Sequence, residues 1–125
     1  MIFGVGIDLV EVARIQKALR VERFAARVFT AAERAYCASR KSGEAESYAA
    51  RFAGKEAFVK ALGLGLRAGP LTDISIENHA GGQPFIKLSG RYLTIVKEKN
   101  IGGIHVSLSH TKELAMAEVI LEAQT

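Results

Sequence analysis

Apolar and polar positions change period several times along this chain. Residues Ile2 to Ile7 alternate, with Phe3, Val5 and Ile7 on one side and Gly4, Gly6 and Asp8 on the other. That period of two predicts a buried strand whose open glycine side ends in a carboxylate. From Val10 to Arg20 the period becomes helical, with Val12, Ile15 and Leu19 opposite Arg14 and Lys17. Thr30-Ala31-Ala32-Glu33 has capping-box form and predicts a short helix reaching Ser39. Lys41-Ser42-Gly43 reads as a turn, after which a long helix starts near Glu44. Strands are predicted at Leu71–Glu77 and Pro84–Leu88, around the turn Asn78 to Gln83. Ser89 then caps a helix over Gly90–Glu98. Strands Ile104–Ser109 and Leu114–Glu122 finish the chain, joined by His110-Thr111-Lys112-Glu113. Helices gather early and antiparallel strands late, so the class is α+β, in one domain over residues 1–125.

The candidate chemistry concentrates in Arg51 to Gly65, RFAGKEAFVKALGLG. Projected at 3.6 residues per turn, Ala45, Tyr48, Ala49, Val59 and Gly63 fall within about 60° of Phe52. Glu56 lies in the same arc, and a carboxylate on a face expected to be buried needs a compensating partner. Lys60 follows at i+4, within reach of that carboxylate or of whatever it holds. Gly63-Leu64-Gly65 breaks the helix with residues that allow close backbone approach. Together these features suggest a metal and a phosphate. Gly54 inside the helix costs about 1 kcal/mol against alanine and implies a close neighbour.

Other candidates carry two readings. Asp8 is either a helix cap, through Asp8-x-x-Glu11, or a metal ligand at a strand end. Arg14, Lys17, Arg20, Arg23 and Arg27 make a basic surface that is either merely solvated or docks an acidic partner. In the penultimate strand Ile104, Val106 and Leu108 alternate with His105, Ser107 and Ser109. The polar row ending in Ser109-His110-Thr111 is either a solvated face or a place to bind phosphate and accept a proton. His79, in a turn, reads as exposed.

Composition narrows the partners. A net charge of +4 favours an anionic one, such as nucleic acid, a phosphorylated ligand or an acidic protein. Nucleic acid is disfavoured because no stacking aromatics alternate with the basic residues. No apolar run approaches the roughly 18 residues that span a bilayer, and the N-terminal stretch lacks a basic signal-peptide start. The single Cys37 excludes an internal disulfide, reads as structural and fits a reducing cytoplasm.

Three stretches resemble one family. GIDLVEVARI, RFAGKEAFVKALG and IHVSLSHTKELAMAEVIL, in order and at the expected spacing, resemble the holo-acyl-carrier-protein synthase family of small 4′-phosphopantetheinyl transferases. The resemblance implies transfer of 4′-phosphopantetheine from coenzyme A to a serine of apo-acyl carrier protein, with Mg²⁺, leaving adenosine 3′,5′-bisphosphate. It also implies helices packed on a small antiparallel sheet and a homotrimer with sites between subunits. On this reading Asp8 and Glu56 are the metal ligands, and Lys60 stands at the reacting phosphates. Gly63 and Gly65 approach the coenzyme, Pro84, His105, Ser107 and Thr111 line the nucleotide site, and Arg14 meets the acidic carrier. Two departures from the family are visible: Leu64 replaces a frequent threonine between the glycines, and Thr111 stands where some members carry an acid.

The chemistry suits these residues. Phosphoryl transfer is catalysed mainly by positioning and charge stabilisation. Mg²⁺ takes one or two carboxylates and completes its shell with water and phosphate, which accounts for Glu56 and favours Asp8 as ligand over cap. Lys60 offsets charge on the leaving phosphate. Glu56 or His110 is the candidate acceptor of the serine proton.

Overall fold

The computed structural model describes residues 1–125. The elements are β1 (Ile2–Glu11), α1 (Val12–Ala18), α2 (Phe24–Val28), α3 (Ala31–Ser39), α4 (Glu44–Leu62), β2 (Ile74–Asn78), β3 (Pro84–Leu88), α5 (Gly90–Glu98), β4 (Ile101–His110) and β5 (Leu114–Ala123). The α+β class holds. Two antiparallel sheets form, one ordered β1-β5-β4 and the other pairing β2 with β3. No helix is long and apolar enough to cross a membrane.

Helix α4 is the axis of the molecule. Its small residues Ala49, Ala50, Ala53, Ala57 and Ala61 are buried, and so are Phe58 and Leu62. The sheet of β1, β5 and β4 packs along one side of the helix, while α3 and β2 meet another. Burial therefore runs nearly all round it, as for a core helix rather than a surface helix. The expected apolar arc centred on Phe52 is corrected accordingly: Phe52 and Glu56 are only partly buried, and Gly63 is exposed.

The orientation of β1 is the reverse of the expectation. Gly4 and Gly6 face α4, and a Cβ at either would overlap Ala61 O or Ala57 O. The glycine side is thus closed because glycine alone lets helix and strand backbones come this near. Phe3, Val5, Ile7 and Leu9 consequently point outward and are exposed, beside Leu114 and Met116 of β5. The strand also runs four residues further than predicted, because its ladder with β5 continues to Glu11 opposite Leu114. Asp8 is therefore a strand residue and not a cap. Glu11 occupies the N-cap of α1 without a side-chain bond, and Val12 N donates to Glu113 O at 2.8 Å.

Elsewhere the differences are local. The helix expected over Val10–Arg20 shortens to α1, and α2 follows Arg23, whose φ is 82°. Leu71–Asp73 form a 3-10 turn rather than the start of β2, and Lys41–Gly43 another. The Thr30 capping box forms as expected, with Glu33 N donating to Thr30 Oγ1 at 3.2 Å and Thr30 N to Glu33 Oε1 at 2.9 Å. Ser89 sits at the N-cap of α5 without a side-chain bond. Asp73 acts there instead, its Oδ2 accepting from Arg91 N at 2.9 Å.

Candidate functional site

The inward side of β1 presents Asp8 to the second half of α4. Lys60 Nζ donates to Asp8 Oδ1 and to Ile7 O, both at 3.0 Å. One turn earlier on α4, Glu56 Oε1 accepts from the guanidinium of Arg67. A cavity of about 580 Å³ opens here, lined by Glu56, Val59, Lys60, Gly65, Leu66 and Arg67. The bend forms as anticipated: Gly63 ends α4 with φ 74° and Gly65 follows with φ 76°, both in the left-handed region. Asp8 and Glu56 retain 17% and 20% of their side-chain exposure, so both remain open to a ligand.

A second cavity, about 420 Å³, lies on another side of α4. Pro84, Ser107 and His110 line it together with Tyr36, Arg40, Arg51 and Asn78. Arg51 is its buried cation. Its Nη1 donates to Ser47 Oγ at 3.2 Å, its Nη2 donates to Asn78 Oδ1, and its guanidinium lies 4.1 Å from the Tyr36 ring centroid. Its Nε is buried without a partner. A guanidinium so placed, with Arg40, His110 and Ser107 nearby, suits an anionic group such as phosphate. Sequence reasoning passed over Arg51. The available signal was a cation among alanines on the helix that carries Glu56.

Residues 51 and 56 lie about 140° apart around a helix, so their side chains leave α4 on different sides. The anticipated site residues thus fall into two groups, Asp8, Glu56, Lys60 and Gly65 in one and Pro84, Ser107 and His110 in the other. His105 stands outside both cavities. It projects with Ser107 and Ser109 from the outer face of the larger sheet, and its Nε2 lies 2.5 Å from Glu122 Oε1. That partner holds the Glu122 carboxyl below its ordinary range. Thr111 Oγ1 accepts from Glu113 N and Leu114 N, so its hydroxyl shapes the β4–β5 turn. Arg14 is exposed on α1.

The completely buried charges are Glu33 and Lys55, paired at 2.7 Å with neither side chain exposed. Burial pushes the Lys55 amine below its ordinary value, and Glu33 partly offsets this. Cys37 donates to Ser47 Oγ at 3.3 Å, and burial pushes its thiol up. This is consistent with a structural role.

No group of three or more His, Cys, Asp or Glu side chains forms a metal cage. Two partly buried carboxylates flank Lys60: Asp8 is its hydrogen-bond partner, and Glu56, one helical turn before it, lines the same cavity as Lys60. Oxygen donors in that number fit Mg²⁺, which prefers phosphate and water for the rest of its shell.

Comparison with known proteins identifies the family to which the chain is similar. The family described as the 4′-phosphopantetheinyl transferase superfamily matches residues 4–117. A holo-(acyl-carrier-protein) synthase of Trichlorobacter lovleyi is 51% identical over 126 residues, covering 98% of this chain and 99% of that protein. The corresponding protein of Treponema denticola is 48% identical over 122 residues, with 98% and 99% coverage. Among solved structures, a holo-(acyl-carrier-protein) synthase of Bacillus anthracis in complex with CoA (3′,5′-ADP) is 37% identical. It aligns with a TM-score of 0.83 over 99% of both chains.

Proposed function

Because this chain belongs to the 4′-phosphopantetheinyl transferase superfamily, we propose that it moves 4′-phosphopantetheine from coenzyme A to a serine hydroxyl of an acyl carrier protein. The observation that carries this reading is a cavity lined by Glu56, Lys60 and Gly65 at the glycine bend, with Asp8 bonded to that same Lys60. The chain that holds them matches a coenzyme-bound synthase over 99% of its length. In the reaction the serine oxygen attacks the pyrophosphate phosphorus next to pantetheine. The bond from that phosphorus to the bridging oxygen breaks, and 3′,5′-ADP leaves.

Each residue has a task set by its position. Lys60, more than half exposed and anchored by Asp8 and the Ile7 carbonyl, places an ammonium against the departing phosphate. The Gly63–Gly65 bend brings backbone close to the coenzyme without side-chain obstruction. Asp8 and Glu56 are the carboxylates that would hold Mg²⁺, which supplies charge neutralisation at the pyrophosphate when bound. Arg67 and Lys60 neutralise these carboxylates otherwise. The serine proton passes to Glu56, or to His110 where a second chain delivers it.

The division of the site residues between two sides of α4 supports a homotrimer whose sites lie between subunits. In it Arg51, Pro84, Ser107 and His110 of one chain receive the nucleotide end of a coenzyme that reacts at Glu56 and Lys60 of another. The exposed apolar row Phe3, Val5, Ile7, Leu9 supplies a contact surface for such an assembly. Arg14 and the neighbouring basic residues dock the acidic carrier, and the lone buried Cys37 suits a reducing cytoplasm.

Intact-mass analysis tests the reading directly. Apo-carrier incubated with this protein, coenzyme A and Mg²⁺ gains one phosphopantetheine. The gain disappears with chelator or with Glu56→Gln. Folded protein that modifies none of several carriers overturns the reading.

A further inference from the structure

Lys55 lines neither cavity of the site, yet it is a fully buried ammonium with three polar partners. Its Nζ lies 2.7 Å from Glu33 Oε1 and 2.9 Å from Leu71 O, and it also donates to Ile74 O. Glu33 in turn belongs to the α3 capping box, and its Oε2 accepts from Ile76 N at 2.7 Å. One ammonium therefore ties α4 to the start of α3, to the 3-10 turn at 71–73 and to β2. Next to it, Gly54 lets the helix seat on Ile76, where a Cβ would collide with the Ile76 side chain. An ion removed from water at this cost needs a purpose beyond stability, since buried pairs often add little to it.

The purpose lies in what Lys55 adjoins. Glu56 is the next residue. The loop that carries Gly65 and Arg67 returns to the core at Leu71, whose carbonyl Lys55 holds. Arg67 grips Glu56 from that loop. We propose that Lys55 is the positioning residue of the site, fixing both the roll of α4 and the far end of the 63–70 loop, so that Glu56 is held from two directions. This rests on the transferase reading given above. A roll of about 10° displaces a carboxylate roughly 6 Å from the helix axis by about 1 Å. A misplacement of that order costs around a hundredfold in rate.

The test separates tether from stability. Glu33→Gln removes the counter-charge but leaves Lys55 its two carbonyls, which even a neutral amine satisfies with its two N–H groups. Lys55→Met removes the tether. Both variants melt lower than the parent. With activity measured where circular dichroism shows full folding, Glu33→Gln keeps kcat within about threefold. Lys55→Met loses at least about tenfold in kcat, with KM for coenzyme A changed less than about threefold. Hydrogen exchange of peptides covering 63–70 rises in Lys55→Met and not in Glu33→Gln. Should Lys55→Met fail to fold, Glu33→Gln/Lys55→Met takes its place, because it lacks the tether without leaving a buried carboxylate unpaired. Unchanged exchange in the loop, or kcat that follows melting temperature equally in all variants, overturns the proposal. A parent protein inactive toward every carrier overturns the transferase reading instead, and the exchange result stands independently of it.

Discussion

Asp8 reaches Lys60 because of a residue two positions earlier that has no side chain. Gly6 lies against Ala57 and Ala61 backbone so closely that any Cβ would overlap a carbonyl oxygen. Backbone on both sides leaves nothing flexible to move. Gly6→Ala should therefore cost about 3 kcal/mol or more, at the upper end of overpacking penalties. In a domain of this size that corresponds to a fall in Tm of about 10 °C, readable by calorimetry. A loss below about 3 °C would show that β1 can lift from α4 cheaply. A second residue-scale test concerns pH. The Glu122 carboxyl lies below its ordinary value because His105 stands beside it. A lowered carboxyl contributes stability that is present above its ordinary value of 4.5 and lost as pH falls through the folded one. His105→Gln should thus lower Tm slightly above about pH 5 and leave it unchanged well below, so that the two curves converge in acid and the variant's acid limb is flatter. Parallel acid limbs in the two proteins would remove the pair from the account.

Among the elements, α4 shows what a sequence discloses and where it stops. Its span, its glycine terminus and the placement of Glu56 and Lys60 one turn apart are legible because they depend on spacing within one helix. The capping box of α3 is legible for the same reason. Its second use is not: Glu33 also accepts from Ile76 N, 43 residues away, and pairs with Lys55, contacts that exist only once α3 and β2 flank the helix. A single arc centred on Phe52 encloses Glu56 only if α4 has one buried side. Burial all round α4 moves the fully enclosed ion to Lys55. Arg51 is not legible as a site residue from spacing, because its surroundings form only when β2 brings Asn78 against it. Its position gives an element-scale prediction. Arg51→Met should weaken 3′,5′-ADP binding by about tenfold or more in calorimetry, the loss of one charge-assisted contact to phosphate. Lys60→Met, on the other side of the helix, should depress kcat more than nucleotide affinity. Equal effects on affinity and turnover in both variants would mean that the two sides of α4 do not divide the substrate.

At the scale of the molecule, the inverted β1 decides the outcome. A strand that alternates glycine with large apolar residues normally hides the apolar side. Here packing against α4 leaves that choice to the glycines, and Phe3, Val5, Ile7 and Leu9 face outward. In register beside them stand Met116 and Ile120 of β5, with Ser109 and His105 beyond on β4. A covered Val, Ile or Leu side chain gains about 1.5–3 kcal/mol over an exposed one, so several together suffice to drive association. Val5 is the sharpest probe: 53% exposed, opposite Ile120 and clear of Asp8, it can be changed without disturbing the chain's own core. Val5→Glu should keep the circular dichroism spectrum and lower the sedimenting mass to that of one chain. Transfer activity should fall at least about tenfold with it, because in the proposed trimer Arg51 and His110 of one chain complete the site at Glu56 and Lys60 of another. A variant that stays assembled and active would place the contact elsewhere. One that becomes a fully active monomer would show that a single chain bends both cavities onto one coenzyme.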